Sequence, residues 1–134
     1  FQISSSSFTY GSKWKGGPFF PELMASHINT HFYPIMPITS DNLFTTCSVT
    51  AAQNMLSFGI GDTGEAILVS PPIYGRFEMD YGNVARMKVL YAKMKDTDPF
   101  ELAVVDRLEE ALINATWAGT RVRALLISNP INPL

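Results

Sequence analysis

The sequence predicts an α/β fold with a mainly parallel sheet, and two observations carry that expectation. Short apolar, strand-like runs alternate with stretches of helical periodicity, so that each crossover between strands is closed by a helix. One of the runs, "EAILVSPP" at residues 65–72, is apolar without interruption, the pattern of a strand covered on both faces.

Taken in order, the chain opens with a loop: serines fill residues 4–7, and glycines and a proline punctuate "GSKWKGGP". "FFPELMASHINTHFYP" then sets Leu23, Met24, Ile28, His31 and Phe32 at three- and four-residue spacing. That spacing predicts an amphipathic helix ending before Pro34. "MPITSDN" connects it to "LFTT", a short strand expected at residues 43–46. "VTAAQNMLSFGIGD" predicts a helix over residues 49–58, stopped by Gly59 and Gly61. After the strand at residues 65–72, cut by two prolines, "ARMKVLYAKM" predicts another at residues 85–94, with Met87, Val89 and Tyr91 on one face. "DPFELAVVDRLEEALINA" has the clearest helix start: Asp98 as cap, Pro99 at the first helical position, Glu101 completing a capping box. Its expected buried stripe is Leu102, Val105, Leu108, Leu112 and Ala115. Beyond Gly119, "VRALLISNP" predicts the fourth strand.

Bulk properties narrow the function classes. The 134 residues suit one domain with a real core. Charged residues are only 16% of the chain, where about 25% is usual. Such an apolar balance predicts a piece that packs against something further. A net charge of −2 gives no basic footprint for nucleic acid. No apolar run approaches the ~18 residues of a membrane span. Phe1 at the start, without a signal-like layout behind it, predicts a processed or truncated beginning. The single cysteine, Cys47, excludes an internal disulfide and fits a reducing compartment.

Three stretches can carry chemistry, all at carboxyl ends of expected strands, where open α/β sheets bind ligands. In "TTCSVTAA" a strand turns into a helix at Ser48, Val49 and Thr50. The unpaired N–H groups and dipole of a helix start favour a phosphate. Simple capping by Ser48 or Thr50 is the commoner use of such residues. In "SPPIYGRF" two prolines end a buried strand and throw out Tyr74, which either stacks on a flat ligand or packs on the surface. In "SNPINPL" Asn132 either hydrogen-bonds a ligand oxygen or serves ordinary turn chemistry.

In that order and topology, "VTAAQNMLSFGIGDTGEAILVSPPIYGRF" followed by "RVRALLISNPINPL" resembles the large domain of the class I/II pyridoxal-phosphate aminotransferases. The resemblance is nearest to the aminocyclopropane-carboxylate synthase branch and covers residues 10–134. It implies a three-layer sheet of the type I aminotransferase large domain, incomplete in this chain. Residues 1–17 would be an amino-terminal loop and 18–134 the α/β portion of the domain. The cofactor implied is pyridoxal 5′-phosphate. By the same resemblance Ser48, Val49 and Thr50 wrap its phosphate, Tyr74 stacks on its ring, and Asn132 bonds the ring's phenolic oxygen. Tyr10, in "TYGS", reaches the phosphate in the neighbouring subunit of a homodimer. The family carries glycine around the positions of Cys47 and Ser48, where side chains stand here.

In the family thus resembled, three further groups come after "NPxNP": an acid for the pyridinium nitrogen, a Schiff-base lysine and a substrate-binding arginine. Lys13, Lys15, Lys88, Lys93 and Lys95 match no such motif, so the chain is expected to be a fragment without catalytic residues of its own. The strand at residues 43–46 would pair with one beyond residue 134, while the other three would be neighbours. The parent enzyme is expected to be cytoplasmic, without nucleic-acid or membrane partners. It would act on an amino acid through an external aldimine, as a transaminase, cyclopropane-forming synthase or lyase. The alternatives are a non-catalytic truncated product and an unrelated α/β module that binds a phosphorylated small molecule. His27 and His31 stand four apart on a helix but lack a third metal ligand, so no metal site is expected. Cys47 is expected to be a packing residue, since no base stands near it to make it a nucleophile.

Overall fold

A computed structural model describes residues 3, 5, 19–130 and 132. The chain divides into two compact units, residues 1–48 and 49–134. In the first unit, helix α1 spans Phe20–His31, with Pro21 in its first turn, where a missing N–H costs nothing. Its buried positions are Pro21 and Ala25, while Leu23 and Phe32 stay exposed. The Asn29 side chain donates to the Ile38 carbonyl and accepts from the Ile38 N–H, both at 2.8 Å, tying the return segment to the helix. A 3-10 turn, Ser40–Asn42, follows.

Residues 43–46 are not a strand, contrary to the sequence expectation. A strand is stable only with a ladder partner, and among the described residues the sheet contains no strand paired with this one. Cys47 is exposed, so it is not the packing residue expected. The rings of His27 and His31 lie 4.5 Å apart, and the described residues contain no group of metal-binding side chains.

The second unit is an α/β sheet. Its elements run α2 (Val49–Ile60), β1 (Ala66–Val69), α3 (Phe77–Gly82), β2 (Lys88–Tyr91), α4 (Val104–Trp117) and β3 (Val122–Leu126). All three strands are parallel, in the order β2-β1-β3, so the three expected neighbours do pair with one another. The central strand is the continuous apolar run, and its four residues are 0–4% exposed. On one face Ile67 and Val69 pack with Tyr81, Ala85 and Met87. Leu68 points to the opposite face, and α4 packs on β1 and β3.

Several boundaries differ from the pattern. Helix α2 runs through Gly59 to Ile60. It stops before Gly61, where a Cβ would collide with the Met87 side chain. Register shifts between Ala66 and Ile67 opposite β3, and Arg123, at that irregularity, donates from Nε to the Ile60 carbonyl at 2.6 Å. A cation there answers the negative end of the α2 dipole. Arg123 also lies 3.5 Å from Glu65, whose carboxylate accepts the Asp62 N–H. Helix α3 was hidden in "RFEMDYG", a segment too short and glycine-flanked to read as a helix.

Helix α4 begins at Val104 rather than at Asp98. Asp98 accepts the Phe100 N–H and closes a turn that precedes the helix. The expected stripe is also rotated: Leu102 is 89% and Val105 61% exposed, and Leu112 is exposed as well. Val104, Arg107, Leu108, Ala111 and Ala115 are the positions withdrawn from solvent.

Ile67 fills the middle of this core, so Ile67→Ala should lower stability by about 2–5 kcal/mol. The check is a reduced urea midpoint at unchanged m-value. Burial first, and then the charge of Asp80, raise the pKa of Tyr81 above its ordinary value of about 10. The unfolded chain therefore releases this proton earlier than the folded one. Stability should be fully present below pH ~10 and fall as pH rises through the folded value. Tyr81→Phe should make that alkaline decline shallower in pH-dependent unfolding.

Candidate functional site

The parallel strands β1 and β3 end on the same rim, and both run into proline. After Val69 the chain meets Pro71 and Pro72, which cannot donate to a ladder, so it leaves the sheet and turns into α3. After Leu126 it meets Asn129 and Pro130 with the same result. The Pro71–Pro72 and Asn129–Pro130 bonds are both cis.

A cavity of about 440 Å³ opens at this rim. Three stretches line it. The first two turns of α2 give Val49, Thr50 and Gln53; the turn after β1, with α3, gives Tyr74, Arg76, Phe77 and Asp80. The segment after β3 gives Ser128 and Asn132. Of the residues singled out from sequence, Val49, Thr50, Tyr74 and Asn132 thus line one cavity. Ser48 is the exposed residue just before α2, and its carbonyl accepts a hydrogen bond from the Thr46 hydroxyl at 2.7 Å. Tyr10 lies outside the described residues.

Local chemistry explains how these side chains are held. The Phe77 N–H donates to the Tyr74 carbonyl at 3.1 Å, and the two rings meet edge-on, with centroids 5.8 Å apart at 85°. Such a pairing orients the Tyr74 ring while leaving it about half exposed. Asp80 is only 4% exposed, and the Arg76 Nε stands 3.6 Å from its carboxylate. The pair sits one turn apart on the same helical face. Gln53 is 6% exposed, and its Oε1 has no hydrogen-bond partner among the described residues.

An unmet polar atom in a buried side chain is uncommon. Around it stand the positive end of a twelve-residue helix, the Thr50 hydroxyl, the Arg76 guanidinium, the Asn132 amide and an oriented aromatic ring. That set suits a flat ligand carrying an anionic group. Sequence reasoning missed Gln53, Arg76, Asp80 and Ser128. The signal for Gln53 was its place one turn after Thr50; for Arg76 and Asp80 it was their four-residue spacing, unread because α3 was unread.

The model of the family described as "Aminotransferase class I and II" matches residues 2–134. Among curated proteins, the chain is 34% identical over 130 residues to human "Probable inactive 1-aminocyclopropane-1-carboxylate synthase-like protein 2", covering 90% of this chain and 22% of that protein. It is 33% identical over 115 residues to rice (Oryza sativa subsp. japonica) "1-aminocyclopropane-1-carboxylate synthase 3", covering 86% and 25%. Mouse "1-aminocyclopropane-1-carboxylate synthase-like protein 1" is 30% identical over 128 residues, covering 90% and 25%. The chain thus spans about a quarter of the length of these relatives. A parallel sheet with a ligand-sized rim cavity and a match over nearly every residue lead to one family: the chain belongs to the class I and II aminotransferases, on the side of the aminocyclopropane-carboxylate synthases and their like.

Proposed function

We propose that this chain forms the amino-terminal part of a pyridoxal-phosphate-binding large domain, with residues 1–17 as its leading loop and 18–134 as its α/β portion. The observation that carries this reading is the single cavity lined by Val49, Thr50, Tyr74 and Asn132. The residues present fit pyridoxal 5′-phosphate. Ser48, Val49 and Thr50 would hold the phosphate with helix-start N–H groups and hydroxyls. Tyr74 would cover one ring face, and Asn132 would donate to the phenolic oxygen. Arg76 stands beside Asp80 and offsets its charge, so that it does not repel the phosphate. When bound, the cofactor supplies an electron sink at the α-carbon of an amino acid. This chain's own residues orient it and shield one face of its ring from water.

The parent is proposed to be a cytoplasmic homodimer acting on an amino acid, with Tyr10 reaching the neighbouring subunit's phosphate. No helix among the described residues is long and apolar enough to cross a membrane. A second reading, a non-catalytic product, has its own support. One relative is named as probably inactive. Among the described residues, Lys88, Lys93 and Lys95 are not in the cavity lining.

Pyridoxamine 5′-phosphate is the appropriate probe, because it lacks the aldehyde that reacts with any exposed lysine. Equilibrium dialysis should give saturable binding, weakened about tenfold by Tyr74→Ala through lost stacking and by a similar factor in Thr50→Val. Unchanged affinity in both variants would refute the reading. Gln53→Leu replaces a buried amide with an unmet acceptor by an apolar side chain of similar size. It should raise the melting temperature of the free chain, and a higher transition temperature in calorimetry is the check.

A further inference from the structure

The rim carries a second, smaller cavity of about 260 Å³, on the α4 side of the sheet. It forms where the chain leaves β1 and β3: Ser70 and Pro72 follow the first strand, and Leu126 ends the second, before Ile127 and Ser128. Phe100, from the turn before α4, completes the lining with Val104 and Leu108 from the helix. Val104 and Leu108 stand one turn apart, so one helical face supplies both.

The turn that delays α4 holds part of this lining. The Asp98 carboxylate accepts the Phe100 N–H at 2.9 Å, and the Asp98 carbonyl accepts the Glu101 N–H at 3.1 Å. The Val104 N–H then donates to the Glu101 carbonyl at 3.1 Å. Phe100 is thus fixed by its own backbone at the cavity, although it is 76% exposed. Ile127 is 71% exposed. Two large apolar side chains left in water around one cavity favour an apolar occupant that covers them.

Among the described residues lining this cavity none is charged. A charged group entering it would lose water without gaining an ion partner. An apolar cavity of about 150 Å³ already holds a benzene ring. This one therefore has room for a phenyl or branched aliphatic group. Ser128 also lines the rim cavity, together with Thr50, Tyr74 and Asn132, so the two spaces meet at that residue.

We propose that this apolar recess receives the side chain of the amino acid, which makes the substrate class α-amino acids with bulky, uncharged apolar side chains. The inference rests on the cofactor lying in the rim cavity: an amino acid held against it extends past Ser128 into the recess. Phe100 and Ile127 are then withdrawn from water, with Val104 and Leu108 against the inserted group.

The probes are stable conjugates in which a secondary amine joins pyridoxyl 5′-phosphate to L-phenylalanine, L-leucine, L-alanine or L-aspartate. Each is titrated into the whole chain by calorimetry, with pyridoxamine 5′-phosphate alongside. The phenylalanine and leucine conjugates should bind at least about tenfold tighter than the alanine conjugate, and the aspartate conjugate no tighter than alanine. Val104→Phe fills the recess and should cut the phenylalanine-to-alanine ratio about tenfold. Phe100→Ala removes part of the lining and should cut that ratio about threefold. In amide-resolved NMR the phenylalanine conjugate should move signals of residues 100–108 and 126–127 that the alanine conjugate leaves in place. Saturable binding of pyridoxamine 5′-phosphate with equal affinities for the conjugates would overturn this inference and leave the rim reading standing. A ratio that neither variant alters would do the same. No binding by any probe would overturn both. Should Val104→Phe fail to fold, Phe100→Ala decides, because Phe100 is exposed and precedes the helix.

Discussion

The second unit depends on the burial of four consecutive residues, Ala66 to Val69, on both faces of one short strand. A strand so covered needs partners on each side to satisfy its backbone, and β2 and β3 supply them in parallel register. Parallel neighbours in turn demand crossovers, and α3 and α4 provide them. The carboxyl ends of all three strands are thereby collected on one rim. Proline after β1 and β3 then turns the chain outward at the same level, which brings Tyr74 and Asn132 to one cavity.

The opposite ends of the strands are closed by charge. Glu65 lies within 3.7 Å of Arg121 and 3.5 Å of Arg123, while Arg123 also serves the last carbonyl of α2. This partly exposed cluster adds little stability through its ion pairs alone. Its value is geometric: the irregular register beside Ala66 turns Arg123 toward the helix end, which ties α2 to the sheet.

Much of this was legible as pattern. "AILV" read as a doubly covered strand because nothing polar interrupts it, and "VTAAQNML" read as a helix starting at Val49. The resemblance to the class I and II aminotransferases rested on "PPIYGRF" and "SNPINPL", and the family match bears it out. The failures have particular causes. Asp98, Pro99 and Glu101 have the composition of a helix start, but the Asp98 carboxylate closes a local turn instead and the helix waits until Val104. Leu102 and Val105 are apolar yet exposed, because Leu102 precedes the helix and the side of α4 withdrawn from solvent carries Val104, Leu108, Ala111 and Ala115 instead. The run at residues 43–46 has strand composition without a ladder partner among the described residues.

The sequence by itself determined which segments could be strands or helices and where prolines must end them, because those limits are local: steric restriction of φ, loss of an N–H, the period of apolar side chains. It also offered the candidate residues: Tyr74 and Asn132 follow prolines that end strands, and Thr50 stands at a helix start. Only the tertiary structure decided the order β2-β1-β3 and its register, which face of α4 is buried, and that Gln53, Arg76 and Asp80 join those residues. Those outcomes depend on contacts between segments tens of residues apart. Such contacts are set by shape and by the satisfaction of buried polar groups, and neither has a period that can be read along a chain.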